Sequence, residues 1–371
     1  MRVVIAKKLL STVGGSEAQA RALAEALRGL GHDVGLVGLR PVVRRPGIPP
    51  EVYAAPAGDV TVRDGGLTFR FVESRASLIE GLLPLSLVAA DRLGPAIVGA
   101  DVVHCLAREW AMPLERAARE AGAAFVETPL VHPGQPFSGA GRGDVARYRR
   151  DDAVIALTEW EAAWYRERGV ERAFVTGVGP IIDGSRLPAV EPGLATILFI
   201  GRKERYKGYD ALRAAAPLVW QERPDARFVI IGQRRFLGPA PLADPRWSEL
   251  GVVTEERKAG ALVQATMLAM PSDHETFGHT YLEAWSAGRP VIAGDIPPLR
   301  EVVREGIDGL HAANQPRAVA DAILALLADP RRASAMGAAG RDRLHEHFTW
   351  LQVARRTEHA YRSALRAYDG S

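Results

Sequence analysis

Residues 271–290 read Pro-Ser-Asp-His-Glu-Thr-Phe-Gly-His-Thr-Tyr-Leu-Glu-Ala-Trp-Ser-Ala-Gly-Arg-Pro, and they are the most informative stretch of the chain. It places two carboxylates, Glu275 and Glu283, on either side of a Phe-Gly turn at 277–278, after an apolar run at 261–270 that is typical of a strand. In one continuous helix, eight steps of ~1.5 Å would separate the two carboxylates by about 12 Å. An acid and a base that act on one glycosidic bond lie about 5–9.5 Å apart. The spacing therefore favours two separate contacts to one long ligand, with a loop acid and a solvated helix acid as the alternative.

A second segment, residues 196–210, reads Thr-Ile-Leu-Phe-Ile-Gly-Arg-Lys-Glu-Arg-Tyr-Lys-Gly-Tyr-Asp. A buried strand that ends on a glycine, then a basic loop and a helix, is the arrangement that receives phosphates in open α/β sheets. The chain has 47 basic residues but only five lysines, and two of these, Lys203 and Lys207, fall in this loop. A compact, flexible ammonium suits a diphosphate. A charged, solvated loop is the alternative.

The first 37 residues contain a similar device. A short strand at 2–6 is followed by Ser-Thr-Val-Gly-Gly-Ser-Glu at 11–17, a helix from about 18 to 30 and a second strand, which together make a βαβ unit. Gly14 and Gly15 permit a close approach of the backbone to a ligand. Helix amides at that point would favour an anionic or hydroxyl-rich ligand. The dinucleotide fingerprint Gly-x-Gly-x-x-Gly is missing, so a nicotinamide cofactor is disfavoured.

Together these segments resemble the GT-B glycosyltransferases, and among them the large retaining group called family 4. The resemblance covers nearly the whole chain and depends on the order and spacing of short segments. They are Gly14-Gly15-Ser16-Glu17, Gly31-His32-Asp33-Val34, His132, Asp152–Thr158, Gly201-Arg202, Lys207-Gly208, Pro271-Ser272, Glu275, Glu283, Gly288 and Pro290. The resemblance implies an α/β protein of two Rossmann-like α/β/α domains with a cleft between them. It also implies a C-terminal helix that crosses back to the N-terminal domain.

Length and turn residues divide the chain in the same way. At 371 residues the chain exceeds what one hydrophobic core usually supports, so two domains are expected. The Pro-rich segment Leu-Pro-Ala-Val-Glu-Pro-Gly is the best candidate for a linker. We predict an acceptor-binding domain at 1–186, the linker at 187–193, a donor-binding domain at 194–345 and the crossing helix within 346–371.

For the donor, the resemblance implies a nucleoside-diphosphate sugar bound on the C-terminal domain. Arg202 and Lys207 match the cations that hold the diphosphate and stabilise the charge on it as the sugar leaves. Glu283 matches the glutamate that accepts hydrogen bonds from the ribose hydroxyls. Uridine is the favoured base on family frequency, with guanosine next.

The resemblance also implies residues around the transferred sugar. Glu275, with the backbone amides around Phe277 and Gly278, matches the group that holds the sugar hydroxyls. His132 matches a catalytic histidine of the N-terminal domain that lies near the sugar, and the loop at Gly14-Gly15 matches one between the donor phosphate and the acceptor. The family retains the anomeric configuration without an obvious protein nucleophile, through attack from the leaving-group side.

No metal or other cofactor is expected beside the donor. The chain contains no Asp-x-Asp motif, and the Arg202 and Lys207 pair would supply the neutralising charge. The chain departs from the resembled pattern at His279-Thr280, directly after the Phe-Gly turn, so the identity of the sugar does not carry over. The acceptor hydroxyl is likewise left open.

Two other classes of function remain open. A sugar-nucleotide epimerase of the GT-B type would keep the diphosphate site but would need acid and base carboxylates that face the sugar. A non-catalytic sugar-nucleotide-binding protein would share the two α/β halves. Release of nucleoside diphosphate only when an acceptor is present would distinguish a transferase from an epimerase.

Charge and cysteine content bear on the compartment and on partners. The net charge is only +3. The chain has one cysteine and no run of 18 apolar residues, and its N-terminus lacks the apolar core of a signal peptide. These three features lead us to expect a cytoplasmic protein. Basic clusters at 40–45 and 142–150 suit an anionic acceptor or a peripheral contact with an anionic membrane, with a solvated surface as the alternative. Aromatic residues are not interleaved with these clusters, which disfavours nucleic acid.

Overall fold

The computed structural model describes residues 1–11, 15–45, 47–74, 88, 90–133, 135, 138–186, 195–235 and 238–369. These residues form two compact units, Met1–Val178 with Trp350–Ser371 and Gly179–Thr349. The predicted linker at 187–193 lies outside the described residues. Residues 179–186, which sequence analysis assigns to the first domain, group with the second unit, where the Gly184 amide donates to Ser286 Oγ at 2.7 Å.

The first unit is built on a sheet whose described strands run in the order β3-β4-β2-β1-β5-β6-β7-β8. They are β1 (Arg2–Ala6), β2 (Asp33–Leu39), β3 (Val60–Asp64), β4 (Leu67–Val72), β5 (Val102–Leu106), β6 (Ala124–Thr128), β7 (Ala153–Ala156) and β8 (Ala173–Val175). All neighbours are parallel except β3, which pairs antiparallel with β4. The short apolar runs that form the central strands are buried, as expected for a parallel sheet covered on both faces.

Helices cover both faces of this sheet. They are α1 (Gly15–Gly29), α2 (Pro50–Ala54), α3 (Ala90–Ile97), α4 (Ala111–Ala121), α5 (Arg142–Tyr148), α6 (Glu159–Arg166) and the C-terminal α13 (Trp350–Asp369). α13 packs on α1, β6 and β7, so the last helix belongs to the N-terminal unit, as the predicted fold requires. None of the helices in the described residues combines the length and apolarity needed to cross a bilayer.

A buried histidine ties α13 to the sheet. His104 Nδ1 lies 2.7 Å from the Tyr361 hydroxyl and Nε2 lies 2.7 Å from Thr128 Oγ1. Burial lowers the pKa of His104 to about 3, so the ring is neutral and one nitrogen donates while the other accepts. This polar link fixes the register of the helix on β5 and β6. Cys105, the next residue in β5, is also buried.

A pair of acids is buried in the same unit, next to one arginine. The Arg147 guanidinium bonds both oxygens of Glu127, at 3.0 and 3.1 Å, and thereby compensates one negative charge. Asp151 is 2% exposed, and neither of its carboxylate oxygens has a hydrogen-bond partner of good geometry among the described residues. Burial, and after it the negative charge of Glu127, raises the pKa of Asp151 well above its usual range.

We expect Asp151→Asn to stabilise the protein at neutral and alkaline pH. An acid whose pKa is raised by folding contributes stability that is fully present below the unfolded pKa and is lost as pH rises through the folded pKa. The variant should therefore gain about 1.4 kcal/mol over wild type for each unit by which folding raises this pKa. Melting temperatures from pH 4 to 9 test this, with exposed Asp342→Asn as the control. A gap that stays constant with pH would contradict the prediction.

The second unit has a smaller sheet, with described strands in the order β11-β10-β9-β12-β13-β14. They are β9 (Thr196–Ile200), β10 (Arg227–Ile231), β11 (Trp247–Gly251), β12 (Met267–Met270), β13 (Val291–Gly294) and β14 (Gly309–Ala312). All neighbours are parallel. The strand order reverses between β9 and β12, and ligands of open α/β sheets bind outside the carboxyl ends of the strands at such a point.

Helices α7 to α12 complete this unit. They are α7 (Tyr209–Glu222), α8 (Glu255–Gln264), α9 (His279–Ser286), α10 (Pro297–Val302), α11 (Pro316–Ala328) and α12 (Pro330–His347). The predicted α/β class with two mainly parallel sheets is confirmed. The strand-like interpretation of 261–270 is wrong in its first part, because α8 runs to Gln264 and only Met267–Met270 is a strand.

The start of α8 explains this difference. Thr254 caps the helix, with its hydroxyl accepting a hydrogen bond from the Arg257 amide at 3.3 Å. Ala259, Leu262 and Val263 are then buried at helical spacing. An apolar run does not by itself distinguish a buried helix from a buried strand, and the cap was the signal that separates them.

Candidate functional site

Two loops meet at the point where the strand order of the second sheet reverses. Residues 201–208 follow β9 and residues 271–278 follow β12, so both leave the carboxyl edge of the sheet at neighbouring strands. The Asp273 amide donates to the Tyr206 carbonyl at 2.9 Å. Asn314 joins the loops from a third side, donating to the Arg205 carbonyl at 2.9 Å and to Asp273 Oδ2 at 3.1 Å. Hydrogen bonds therefore join the predicted basic loop at 201–208 to the loop at 271–278 that carries Glu275.

Gly208 is the residue that lets these loops touch. Its φ is +82°, and a Cβ at this position would lie 2.6 Å from Pro271 Cγ and 2.7 Å from the Pro271 carbonyl oxygen. A side chain would force the two loops apart, because neither a proline ring nor a backbone carbonyl yields easily. The Lys-Gly pair at 207–208 thus places the lysine against the loop that follows β12.

Lys203 has a structural partner in this arrangement. Its side chain is 4% exposed, and Nζ lies 2.5 Å from Oε2 of Glu249, the middle residue of β11. Tyr209 and Trp247 also donate to Glu249, at 2.5 and 3.0 Å. Burial raises the pKa of Glu249, but these three hydrogen bonds outweigh it and the net shift is downward. Of the two lysines in this loop, Lys203 is therefore the one that anchors the loop through a buried acid.

Arg202 and Lys207 both lie near the aromatic ring of Tyr206. Arg202 is exposed, its guanidinium donates to the Tyr206 hydroxyl, and its Cζ lies 5.7 Å from the centre of the Tyr206 ring. Lys207 Nζ lies 5.4 Å from the same ring and 2.5 Å from Glu275 Oε2. The ring attracts both cations, which lets two like charges lie close together at the carboxyl edge.

Glu275 stands beside a rigid turn. Its side chain is 11% exposed, and Oε1 accepts from the Thr276 amide at 3.3 Å. Phe277 is buried against Phe348, with ring centres 5.2 Å apart. Gly278 has a φ of +91° and precedes α9, whose first amides lack partners within the helix. The Glu275 carboxylate and the backbone amides at the start of α9 thus lie next to a turn that the packing of Phe277 on Phe348 holds in place.

Glu283 lies one turn further along α9 and is buried. Its side chain is 1% exposed, and Lys258 Nζ on α8 lies 2.8 Å from Oε1. Burial raises the pKa of Glu283, and the charge of Lys258 opposes that rise. Lys258 is one of the five lysines of the chain, but nothing local to α8 indicates which acid it faces, so the sequence predicts no role for it.

The histidine directly after the Phe-Gly turn is occupied within the second unit. His279 Nδ1 lies 2.9 Å from the Gly179 carbonyl, and burial lowers the pKa of His279. The neutral ring thus holds the start of this unit against α9. This contact gives His279, where the chain departs from the resembled pattern, a structural role.

Of the predicted site residues that the structure describes, two belong to the first unit. Gly15 begins α1, while Gly14 lies outside the described residues. His132 follows β6 at the carboxyl edge of the first sheet, is half-buried, and accepts a hydrogen bond from the Gln135 amide through its carbonyl at 3.1 Å. The other predicted site residues, Arg202, Lys207, Glu275, Phe277, Gly278 and Glu283, lie together in the second unit.

Among the described residues, no group of three or more His, Cys, Asp or Glu side chains is arranged to hold a metal ion. Three lysines of the second unit are each paired with a glutamate instead. The chemistry that this edge offers is recognition of an anion by Arg202 and Lys207 and of hydroxyl groups by carboxylates.

The carboxyl edge of the second sheet lies within a segment that matches a known protein family. Residues 195–329 match the family model described as glycosyl transferases group 1. This segment contains both loops, Lys258 and Glu283.

Individual relatives extend the similarity to the rest of the chain. The D-inositol 3-phosphate glycosyltransferase of Thermobifida fusca is 29% identical over 367 residues, covering 85% of this chain and 82% of the relative. The enzyme of the same name from Pseudarthrobacter chlorophenolicus is 34% identical over 197 residues, covering 49% of this chain and 46% of the relative. The chain spans about half of the length of several curated relatives that it matches, among them the Pseudarthrobacter enzyme.

Solved structures agree in fold. HepE from Anabaena, in a crystal structure that holds UDP and glucose, has a TM-score of 0.75 over 97% of this chain and 98% of HepE, at 16% identity. At this identity the likeness concerns the fold alone.

Proposed function

We propose that this chain, a group 1 glycosyltransferase with the GT-B fold, transfers a sugar from a nucleoside-diphosphate sugar to a hydroxyl acceptor. One observation carries the proposal. Two cations and the carboxylate of Glu275 converge on the carboxyl edge of the second sheet where its strand order reverses, within the segment that matches the family model.

Arg202 and Lys207 would bind the diphosphate and stabilise it as a leaving group. Cleavage of the bond between the sugar and the phosphate builds negative charge on the diphosphate, and cations fixed in advance near that charge lower the barrier. Arg202 offers a planar fork of donors, and Lys207 a compact point charge. With this charge supplied by side chains, we propose that transfer needs no metal and proceeds with retention, by attack from the leaving-group side.

The carboxylates would read the neutral parts of the donor. Glu275 and the amides at 277–278 are placed to bind the hydroxyls of the transferred sugar, and Glu283 to accept from the ribose. Uridine is the base we propose first, with guanosine second, and the likeness to HepE, which binds UDP, supports that order. On the first unit, we propose His132 and the loop at Gly14-Gly15 as the groups that face the sugar and the acceptor.

A calorimetric screen of UDP, GDP, ADP and TDP, each with and without magnesium, tests the donor site. We expect one nucleotide to bind without metal and Glu283→Ala to weaken it at least about tenfold, as for a lost hydrogen bond to a charged group. Exposed Glu256→Ala on α8 is the control. Binding of no nucleotide, or equal binding by the Glu283 variant, would remove the basis of the proposal.

The same donor serves to distinguish the reaction classes. With the sugar nucleotide of the base that binds, release of nucleoside diphosphate that depends on an added hydroxyl acceptor indicates a transferase. Interconversion of sugar nucleotides without release indicates an epimerase, and binding with neither reaction indicates a non-catalytic binding protein. EDTA should leave the release unchanged.

A further inference from the structure

The two oxygens of the buried Glu283 carboxylate are in different situations. Oε1 receives the Lys258 ammonium at 2.8 Å. Oε2 is buried and has no hydrogen-bond partner among the residues that the structure describes. The backbone amide of Ile182 faces the same carboxylate without making a well-aligned hydrogen bond. A native protein rarely leaves a buried acceptor unsatisfied unless something else binds there.

The charge on Glu283 depends on one cation. The charged side chains that act on this carboxylate are Lys258, which favours its ionised form, and Glu255, which opposes it, and both belong to α8. A carboxylate that is buried without a compensating charge takes up a proton. Lys258 itself is 21% exposed, so its ammonium stays partly hydrated while it neutralises the buried acid.

We infer that Lys258 is a positioning residue for nucleotide binding: it holds Glu283 as a carboxylate turned so that Oε2 accepts a hydrogen bond from a ribose hydroxyl. This inference rests on the proposed function and deepens it. An ionised carboxylate only accepts hydrogen bonds, which suits a hydroxyl donor, whereas a protonated carboxyl presents a donor of its own. Lys258 and the ribose can bind together, because they use different oxygens.

Lys258→Met tests the inference, since it keeps an unbranched side chain and removes the charge. The probe is UDP, and its dissociation constant is measured by calorimetry from pH 6 to 9. Without Lys258 the Glu283 carboxyl should stay protonated to higher pH, so the variant should bind UDP at least about tenfold more weakly than wild type near pH 6. The gap should narrow as pH rises and the carboxyl ionises. The ratio of the variant's dissociation constant to that of wild type is taken at each pH, because the titration of UDP itself affects both constants equally.

Three further variants separate this role from a general loss of charge or packing. Lys258→Arg should restore wild-type affinity across the pH range. Arg257→Met removes an exposed charge one position away on α8 and should change nothing. In a Glu283→Gln background, adding Lys258→Met should cause no further loss, because the lysine acts through that carboxylate. Should Lys258→Met not fold, Lys258→Gln provides the same uncharged test.

The outcomes are distinct. Wild-type binding with a pH-dependent loss in Lys258→Met supports the inference. Wild-type binding with equal or tighter binding by Lys258→Met at every pH overturns it and leaves the proposed function standing, since the ammonium would then occupy the place of the ribose. If wild type binds none of UDP, GDP, ADP and TDP, the proposed function falls and the inference falls with it.

Discussion

Arg202→Met is expected to slow the release of UDP from the sugar nucleotide that serves as donor (UDP-glucose is the first to be tested), whether by transfer or by hydrolysis, by about 10²–10³-fold, or roughly 2.7–4 kcal/mol of transition-state stabilisation. The reason is that negative charge on the diphosphate grows as the bond breaks, so a cation aimed at it contributes more to the transition state than to binding. The melting temperature should stay at the wild-type value, because the guanidinium is exposed and its interactions with the described residues are those with Tyr206.

The matched control is Arg205→Met. Arg205 lies in the same loop, is exposed and carries the same charge, but its described tertiary contact is made by the backbone carbonyl, which accepts from Asn314. The control should therefore retain most of the activity. Equal losses in the two variants would mean that the loop acts through its overall charge, which would contradict a specific role for Arg202. The measurement is steady-state release of UDP at saturating UDP-glucose.

Much of the second unit follows from local patterns in the sequence. The strand at 196–200 and the loop after it were predicted closely, because β-rich runs and glycine stops are local signals. The assignment of 261–264 to a strand was wrong, because an apolar run is compatible with both kinds of element and only the cap at Thr254 marks the helix.

The sequence alone does not predict which lysine pairs with which glutamate. Lys207 and Glu275 are 68 positions apart, and Lys258 and Glu283 are 25 apart, so their contacts exist only once the strands have been ordered in the sheet. The spacing of the two glutamates indicated separate roles, and the rarity of lysine hinted at special positions. Neither signal says that each glutamate would have its own lysine, or that Oε2 of Glu283 would be left without a partner.

Glu275→Gln is expected to separate catalysis from nucleotide binding. The amide keeps the shape of the side chain but removes the charge that pairs with Lys207 at 2.5 Å. Turnover of UDP-glucose should fall about 10- to 100-fold, the loss expected when a hydrogen bond to a charged group is weakened in the transition state. UDP alone should bind at least as tightly as to wild type, because the Lys207 ammonium then has no carboxylate to compete with the diphosphate.

The two glutamates should thus respond in opposite ways, since Glu283→Ala is expected to weaken UDP binding. Glu204→Gln, in the loop that carries Lys207, removes a carboxylate without touching this pair and serves as the control. Calorimetry with UDP and steady-state kinetics with UDP-glucose decide the matter. If Glu275→Gln lost UDP affinity and turnover in equal proportion, Glu275 would be supporting the phosphate loop through Lys207, and the sugar hydroxyls would have to be bound by other groups.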